Sequence, residues 1–444
     1  MNIIIVGAGT VGAHLAKQLS EESHNVVIID SDPGCAERLA DLDVMVIHGN
    51  GGSTDNLIKA GVDKADLLLA VTESDETNII ASMIASTLGV ETRVARVRSK
   101  EYFKGSAIIQ PIDLGIDLLI NPEEEAAQEI INLIERPYAT ERKLFCEGKL
   151  ELISLIISEE CPLVGKPLKQ VGTLISRDFR ISLIVRNDEP LIPGGETVIA
   201  TGDRIFFIAL SGSVENIIRD LKVAWREISS IFIIGGGVIG ASIAHTFEEK
   251  RRFKTKIVET KRERALRLSE MLPKTLVLEG DGTNVELLIR EGFADSDAFI
   301  AVTSEDEVNI LSCLLARQHG VPYTIPLVQR TDYVPLTASM RLQAISPREI
   351  TVERILKYVR GKKVVSMNTL AEDKAEVLEY RVSKESVIAG KALKDSRFPG
   401  SAVIGAIIRD NEPVIPTGET VVLPDDRIFV FTLSATVKQI GKLF

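Results

Sequence analysis

The chain opens with an apolar run that leads directly into a glycine-rich turn. Residues 2–6 read Asn-Ile-Ile-Ile-Val, and Gly7, Gly9 and Gly12 follow in the pattern G-x-G-x-x-G before a helical pattern begins. A short buried strand that enters such a turn and then a helix is typical of units that bind nucleotides through their phosphates. We expect the unpaired N–H groups at the start of this helix to face a pyrophosphate.

The same alternation of apolar runs and helical patterns continues over the first 120 residues. It predicts a parallel sheet with right-handed crossovers, and ligand should bind over the carboxyl ends of its strands. We also expect a crossover helix after this sheet to leave it and pack against its twin from another copy of the chain. The predicted strands are 2–6, 25–29, 43–47, 66–71, 92–97 and 117–120, and the predicted helices are 10–20, 33–41, 53–60, 75–88, 100–106 and 122–135.

Both this unit and a second, different pattern occur twice. The stretch 231–240 repeats the glycine turn, and Ala-Val-Thr-x-x-Asp-Glu-x-Asn occurs at 70–78 and again at 301–309. A proline- and glycine-rich stretch at 186–198 returns at 409–421. Because the order is A-B-A-B, the chain is a tandem duplication of a two-part module. We predict an α/β protein with Rossmann-like lobes at 1–136 and 228–361, and small α+β lobes at 141–223 and 363–444.

The small lobes are predicted from short alternating strands and turn residues. In the first copy the strands 150–157, 181–186 and 205–209 surround a predicted hairpin. We expect Asp188, Glu189, Asp203 and Arg204 to serve turns and a local ion pair. A regulatory ligand pocket in this lobe stays an alternative.

An acidic residue ends the second predicted strand, near the spacing of about 20 residues at which such units place a ribose-binding acid. Asp30 can accept hydrogen bonds from ribose hydroxyls. It would repel a 2′-phosphate by about 4 kcal/mol at 4 Å and an effective dielectric of 20, so NADP is disfavoured. NAD, ADP and ATP stay open, because all three carry free ribose hydroxyls.

Further polar residues follow the other strands of the first lobe. Asn50 could reach the adenosine, Thr72 and Glu73 lie beside the glycine turn, and Arg96 and Arg98 could bind phosphate oxygens. The stretch 72–78 is also expected to cap a helix, with which ligand contact is compatible. For Arg96 a surface ion pair is the alternative to phosphate contact.

The second Rossmann-like lobe departs from the first at the candidate site. Leu327 and Gln329 stand where the first lobe has its two arginines, and Glu259 replaces Asp30. We expect this second site to bind nucleotide more weakly, or to bind a different nucleotide.

Composition excludes several classes of protein. The 444 residues are 45% apolar and 26% charged, as in ordinary globular proteins, with a net charge of −11 that argues against nucleic acid as a partner. The four scattered cysteines predict neither a disulfide framework nor a metal site. We expect no signal peptide and find no apolar run long enough to span a bilayer, so any membrane contact should go through a partner.

The sequence contains nucleotide-binding motifs but no recognisable catalytic set. An NAD-dependent oxidoreductase needs a general acid or base beside the nicotinamide, and the repeats share no histidine, lysine or tyrosine in such a place. We therefore predict no catalytic residues and favour a sensor over an enzyme, with the oxidoreductase as the alternative.

The duplicated combination of the glycine turn, the 70–78 motif and the Glu-Pro-x-Ile-Pro-x-Gly-Glu-Thr-Val stretch resembles the regulator-of-potassium-conductance family. The resemblance covers the whole chain and implies a cytoplasmic regulatory subunit, peripheral to the inner face of the plasma membrane. It implies a homo-oligomer, either a dimer or a tetrameric ring, that binds NAD(H) and possibly ATP or ADP and gates a Trk-type potassium-transporting membrane subunit. A regulatory subunit of another potassium channel or efflux system is the alternative.

The resemblance also implies binding residues at matching positions of both lobes. In the first lobe they are Gly7, Ala8, Gly9, Thr10, Val11, Asp30, Thr72, Glu73 and Arg96. In the second lobe they are Gly235, Gly236, Gly237, Val238, Ile239 and Glu259.

Overall fold

A computed structural model describes residues 1–99, 110–139, 141–175, 179–223, 227–360, 366–371, 374–396, 398–441 and 443. The chain forms two compact units, one of Met1–Glu135 with Ile228–Leu356 and one of Arg136–Glu227 with Lys357–Phe444. Each unit therefore combines one segment from each repeat. The division into four domains with the boundaries given above stays a prediction, and the predicted helix at 100–106 lies outside the described residues.

The first lobe is a six-stranded parallel sheet in the order β3-β2-β1-β4-β5-β6. Its central strand is buried because apolar side chains on both faces are covered by helices. The helix predicted at 33–41 is much shorter than expected. The elements are β1 (Asn2–Val6), α1 (Thr10–Glu21), β2 (Asn25–Asp30), α2 (Cys35–Arg38), β3 (Met45–His48), α3 (Thr54–Lys59), β4 (Leu67–Ala70), α4 (Asp75–Thr87), β5 (Thr92–Arg96), β6 (Leu118–Ile120) and α5 (Pro122–Glu135).

The small lobe of the first repeat is an antiparallel sheet in the order β10-β9-β11-β8-β7. Its elements are β7 (Glu141–Phe145), β8 (Leu150–Ile156), α6 (Val171–Leu174), β9 (Phe179–Arg186), β10 (Glu189–Leu191), β11 (Arg204–Leu210) and α7 (Val214–Asp220). The hairpin between β9 and β10 turns at Asn187 and Asp188, whose φ angles of 52° and 60° suit a type I′ turn.

The second Rossmann-like lobe repeats the sheet in the order β14-β13-β12-β15-β16. Its elements are β12 (Ser230–Ile234), α8 (Val238–Lys250), β13 (Lys254–Glu259), α9 (Arg262–Met271), β14 (Leu276–Glu279), α10 (Val285–Arg290), β15 (Ala298–Ala301), α11 (Asp306–Gln318), β16 (Tyr323–Pro326), α12 (Tyr333–Ser339) and α13 (Pro347–Arg360).

The second small lobe has the sheet order β17-β18-β21-β19-β20. It consists of β17 (Ser366–Leu370), β18 (Ala375–Arg381), β19 (Ala402–Arg409), β20 (Glu412–Val414), β21 (Arg427–Leu433) and α14 (Val437–Ile440). Short 3-10 turns in the chain are Val62–Lys64, Pro111–Leu114, Cys146–Gly148, Leu168–Gln170, Ser211–Ser213, Phe293–Asp295, Leu393–Asp395 and Ser434–Thr436.

The crossover helix α5 is covered by the second repeat of the same chain. Its buried face, which includes Ile130 and Ile134, belongs to one apolar cluster with Ile243 and Phe247 of α8. Lys250 of α8 also forms an ion pair with α5. The expectation that this helix packs against its twin from another copy was therefore wrong for this face.

The ion pair predicted within the first small lobe has a different cation. Asp203 is 1% exposed and pairs with Arg186 at 2.7 Å, whereas Arg204 lies over the ring of Phe206. The second repeat has the equivalent pair between Arg409 and Asp426. In both lobes the pair joins the end of a hairpin strand to the turn before the last strand.

None of the helices within the described ranges is both long enough and apolar enough to serve as a membrane span. Histidine, cysteine and carboxylate side chains form no cluster suited to a metal ion in that same part of the chain.

Candidate functional site

The glycine turn after β1 brings the start of α1 close to the sheet and leaves one backbone segment open. Gly7 has a φ of +105°, which L side chains rarely adopt. A Cβ at Gly12 would lie 1.8 Å from the carbonyl oxygen of Gly7, so only glycine allows this approach. At Gly9, by contrast, no atom of the described residues other than Gly9 and its neighbours Ala8 and Thr10 lies within 4 Å of the Cβ position. The chain at Gly9 is therefore accessible to a ligand.

The carboxylate of Asp30 anchors the turn from the neighbouring strand. One oxygen accepts the N–H of Ala8, and the other accepts the N–H of Asp32 at 2.8 Å. Each carboxylate oxygen can accept a second hydrogen bond, so Asp30 can hold the turn and still accept ribose hydroxyls.

A cavity of about 530 Å³ lies over the carboxyl ends of the strands in the first lobe, a volume in the range of small-molecule sites. Of the residues predicted for the first site, all but Ala8 line it. Ala8 is 4% exposed and contributes its backbone N–H to Asp30. The predicted residues that line the cavity are Gly7, Gly9, Thr10, Val11, Asp30, Asn50, Thr72, Glu73, Arg96 and Arg98.

Several lining residues were missed by sequence reasoning. In the first lobe they are Ile29, Ser31, Gly51, Val71, Ser74, Thr77, Pro122 and Glu123, and in the second lobe Gln329, Pro347, Arg348 and Thr351. The alignment of the two repeats already placed Gln329 beside the candidate site of its own lobe. No sequence signal placed it, or the start of α13, at the cavity of the first lobe.

The loop after β4 is fixed by the buried amide of Asn78. Its Nδ2 donates to the carbonyl oxygens of Thr72 and Arg96, and the Thr72 hydroxyl donates to Asn78 Oδ1 at 2.7 Å. Ser74 caps α4 by accepting the N–H of Thr77. The stretch is therefore a helix cap, as expected, and it also lines the cavity.

The two arginines at the end of β5 differ in their surroundings. Arg96 is 9% exposed, and its Nη1 donates to the Thr72 carbonyl oxygen at 3.2 Å. Its Nε has no hydrogen-bond partner among the described residues. Burial, followed by the neighbouring charge of Arg98, lowers the pKa of Arg96. The alternative of a surface ion pair for Arg96 is thus wrong, because the side chain is buried and bonds a carbonyl.

Arg98 is exposed and pairs with Glu123 at 3.2 Å. The second carboxylate oxygen of Glu123 is buried without a hydrogen-bond partner in the described part of the chain. From the first lobe, the cavity therefore receives one buried guanidinium, one that is paired with a carboxylate, and an incompletely bonded carboxylate. An anion with several oxygens could accept hydrogen bonds from guanidinium groups placed in this way.

The glycine turn of the second lobe has the same backbone but a different acid. Gly235 has a φ of +99°, and the N–H of Gly236 donates to Glu259 at 3.0 Å. Glu259 is 4% exposed and also accepts the N–H of Lys261 and a bond from Arg264 at 3.2 Å. Burial alone would raise the pKa of Glu259, but these hydrogen bonds and the charge of Arg264 lower it overall. This carboxylate is already bonded to more protein groups than Asp30.

The remaining residues predicted for the second site surround that turn. Gly237 has open space at its Cβ position, Val238 is 57% exposed and Ile239 is buried. Leu327 accepts from Asn309 through its carbonyl oxygen, as Arg96 does from Asn78, so the two positions correspond. The second lobe therefore lacks a guanidinium at the place where the first lobe buries one.

Comparisons with known proteins agree with the duplicated fold. The TrkA-N domain matches residues 3–122 and 231–347, and the TrkA-C domain matches 152–222 and 377–444. Trk system potassium uptake protein TrkA homolog 1 of Methanosarcina mazei is 36% identical, with 100% of both chains covered. The TrkA of Vibrio alginolyticus is also 36% identical, over 98% of this chain and 96% of that one.

Solved structures support the same fold. The RCK domain of GsuK is 18% identical with a TM-score of 0.62, and covers 100% of this chain and 94% of that one. The GsuK channel bound to NAD also has a TM-score of 0.62 at 18% identity, with 100% and 78% covered.

The fold and the matched domains define a class of chains in which TrkA-N and TrkA-C domains alternate in tandem. The predicted α/β fold with two tandem modules is confirmed. The chain belongs to the TrkA family of Trk system potassium uptake proteins. The prediction that it is not an enzyme is confirmed by this membership, since these relatives are named for potassium uptake rather than for a reaction.

Proposed function

We propose that this protein is a cytoplasmic regulatory subunit of a potassium uptake transporter. It binds NAD(H), and also ATP or ADP, and thereby gates a Trk-type membrane subunit. The observation that carries the proposal is the cavity of the first lobe. It combines an open backbone at Gly9, the acid Asp30 and the buried guanidinium of Arg96 in a chain whose relatives are named TrkA.

The bound ligand follows the geometry of the turn. The pyrophosphate lies against the first turn of α1, where N–H groups have no partner within the helix. Asp30 accepts the ribose hydroxyls, and Asn50 lies on the adenosine side. Arg96, which lines the cavity, binds phosphate oxygens, and this suits a diphosphate or triphosphate ester better than a neutral ligand.

The first site of each chain binds more tightly than the second. In the second lobe Leu327 replaces the buried arginine, and Glu259 already bonds two backbone N–H groups and Arg264. A phosphate there would gain fewer hydrogen bonds and meet a carboxylate whose acceptor positions are more fully used. Signalling therefore depends on occupancy of the first site.

Gating follows from a difference in affinity between two shapes of a homo-oligomer. A ligand shifts such an equilibrium only by its preference for one shape, and each tenfold preference supplies about 1.4 kcal/mol. A nearly complete switch needs about 5.5 kcal/mol. In a tetramer, one site in each of the four chains meets that requirement if each site prefers one shape about tenfold. In a dimer, each of the two sites needs about a hundredfold preference.

Reconstitution tests the proposal directly. A Trk-type membrane subunit from the same source is placed in liposomes, and uptake of rubidium ions is followed after addition of the purified protein with NADH, ATP or no ligand. We expect uptake to change with the protein and to change again with at least one nucleotide. Uptake that is unaffected by the protein under all these conditions would contradict a role in gating.

The nucleotide itself provides the second readout. A sensor leaves its ligand intact, so NADH recovered after prolonged incubation with small carbonyl compounds should be unchanged. Steady oxidation of NADH by the purified protein would favour an oxidoreductase instead.

A further inference from the structure

One wall of the first cavity comes from the second repeat. Pro347, Arg348 and Thr351, from the first turns of α13, line the cavity together with the glycine turn of the first lobe. The Nη1 of Arg348 donates to the hydroxyl of Thr10 at 3.2 Å. Thr10 is the first residue of α1, so this guanidinium lies beside the helix start at which a pyrophosphate binds.

We propose that Arg348 of the second repeat binds the phosphates of the nucleotide in the first repeat, so that one ligand joins both repeats. The proposal rests on the nucleotide site proposed above. It adds a binding residue and a route by which occupancy of the site is transmitted to the other half of the chain.

The chemistry around Arg348 leaves its guanidinium available. Its hydrogen bond goes to a neutral hydroxyl, and no carboxylate lies within ion-pair distance of it in the described part of the chain. The arginine is half-buried, so its charge is only partly hydrated. The planar guanidinium of arginine prefers anions that offer two oxygens to it, and the phosphates of a nucleotide meet that preference better than a threonine hydroxyl does.

A second, independent observation also points to an anion in this cavity. Arg96 is 9% exposed, lines the same cavity, and donates from its Nη1 to a carbonyl oxygen rather than pairing with a carboxylate. It approaches the cavity from β5 of the first lobe, whereas Arg348 approaches from α13. An anion that binds both would satisfy groups from the two repeats at once.

The corresponding position in the other repeat carries the opposite charge. Pro122 and Pro347 begin the equivalent helices α5 and α13, so Glu123 occupies the place of Arg348. The next residue of α5, Glu124, accepts a hydrogen bond at 3.2 Å from the hydroxyl of Ser242, which lies one turn inside α8. The start of α13 thus brings a cation to the first cavity, whereas the start of α5 brings Glu123, which pairs with Arg98 in the same cavity.

Calorimetric titration of the full chain tests the role of Arg348. ATP and NADH are titrated into the wild type, Arg348→Gln, Arg348→Lys and Arg354→Gln. Arg354 is the matched control, because it lies on the same helix, pairs with Glu125 at 3.7 Å and does not line the cavity. Arg348→Gln should lose about tenfold in ATP affinity, or about 1.4 kcal/mol, and less in NADH affinity, because NADH carries fewer phosphate charges.

The two control variants separate charge from position. Arg348→Lys should retain part of the ATP affinity, since lysine keeps the positive charge but cannot form a bidentate hydrogen-bonded contact with phosphate. Arg354→Gln should bind like the wild type. Arg348→Gln with wild-type affinity for both ligands, or an equal loss in Arg354→Gln, would overturn the assignment of Arg348. The nucleotide site itself would still stand in that case, whereas a wild type that binds neither ligand would remove the proposed function too.

Hydrogen exchange tests whether the ligand joins the repeats. ATP should slow exchange of backbone amides in the first turns of α13 in the wild type, and this protection should be lost in Arg348→Gln at saturating ATP. Thermal unfolding shows that the variant is folded. Equal protection of α13 in both proteins would contradict a link through Arg348.

Discussion

Replacement of Gly9 by alanine separates ligand binding from folding. The backbone at Gly9 has φ −67° and ψ −174°, values that alanine adopts without strain. Apart from Ala8, Thr10 and residue 9 itself, no described residue has an atom within 4 Å of the added methyl group. The variant should therefore fold normally, and the loss of freedom in the unfolded chain should stabilise it by about 0.4–1 kcal/mol.

The same methyl group occupies the space in which the proposed pyrophosphate meets the backbone. An extra methyl group in a filled space costs about 1–3 kcal/mol. This corresponds to a loss of roughly 5- to 150-fold in affinity. We expect the loss to be similar for NADH and ATP, because both place a pyrophosphate at this turn.

Gly237→Ala is the matched control in the second repeat. Its backbone has φ −69° and ψ −168°, and its Cβ position is equally open. Calorimetry should show that Gly9→Ala loses the tight site and that Gly237→Ala keeps it, while thermal unfolding shows both variants folded. Wild-type affinity in Gly9→Ala would refute the placement of the pyrophosphate at this turn. Loss of the tight site in Gly237→Ala alone would assign that site to the second lobe.

Three further substitutions test the site and the fold. Asp30→Ala should weaken adenosine ligands, measured by calorimetry, by removing the ribose acceptor. Arg186→Ala leaves the buried carboxylate of Asp203 without its cation and should lower the free energy of unfolding in urea by about 2–3 kcal/mol. Burial alone would raise the pKa of Asp297, but hydrogen bonds from Ser229 and Ser230 lower it to about 2 from the usual 3.8. Asp297→Asn should therefore cost about 2 kcal/mol near pH 7 and progressively less as the pH falls from 4 towards 2.

Each of these has its own control. Glu259→Gln changes the equivalent acid of the second lobe and should leave the tight site intact, so equal losses in both variants would contradict the assignment of Asp30. Arg409→Ala removes the equivalent cation of the second small lobe and should cost a similar amount as Arg186→Ala. For Asp297 the pH series is decisive, because a constant difference between pH 2 and 7 would exclude the proposed linkage.

Much of the fold follows from local patterns in the sequence. The strands of the first lobe are apolar on both faces, as parallel strands covered by helices must be, and the glycine turns need residues without a Cβ. The repeat made these inferences stronger, because each pattern occurs twice. The partner of α5 could not be predicted in this way. Its apolar stripe shows that the helix is covered, but the identity of the covering helix depends on tertiary packing.

The candidate site likewise has features that follow from the sequence and features that depend on tertiary packing. Asp30 and Arg96 follow strands of one sheet, so their convergence on the cavity is a consequence of topology. The burial of Arg96 could not be inferred, because it depends on what covers the end of β5. Arg348 is separated from Thr10 by most of the chain and belongs to the other repeat. It reaches the first cavity only because the start of α13, from the second repeat, lies at the first lobe.

The most direct test of the account is a titration of the purified protein with NADH and with ATP, in which heat is recorded and the ligand is then recovered. We predict one tight site per chain, competition between the two ligands, and recovery of both in unchanged form. If neither NADH nor ATP binds, the central claim that this chain is a nucleotide-binding sensor is contradicted.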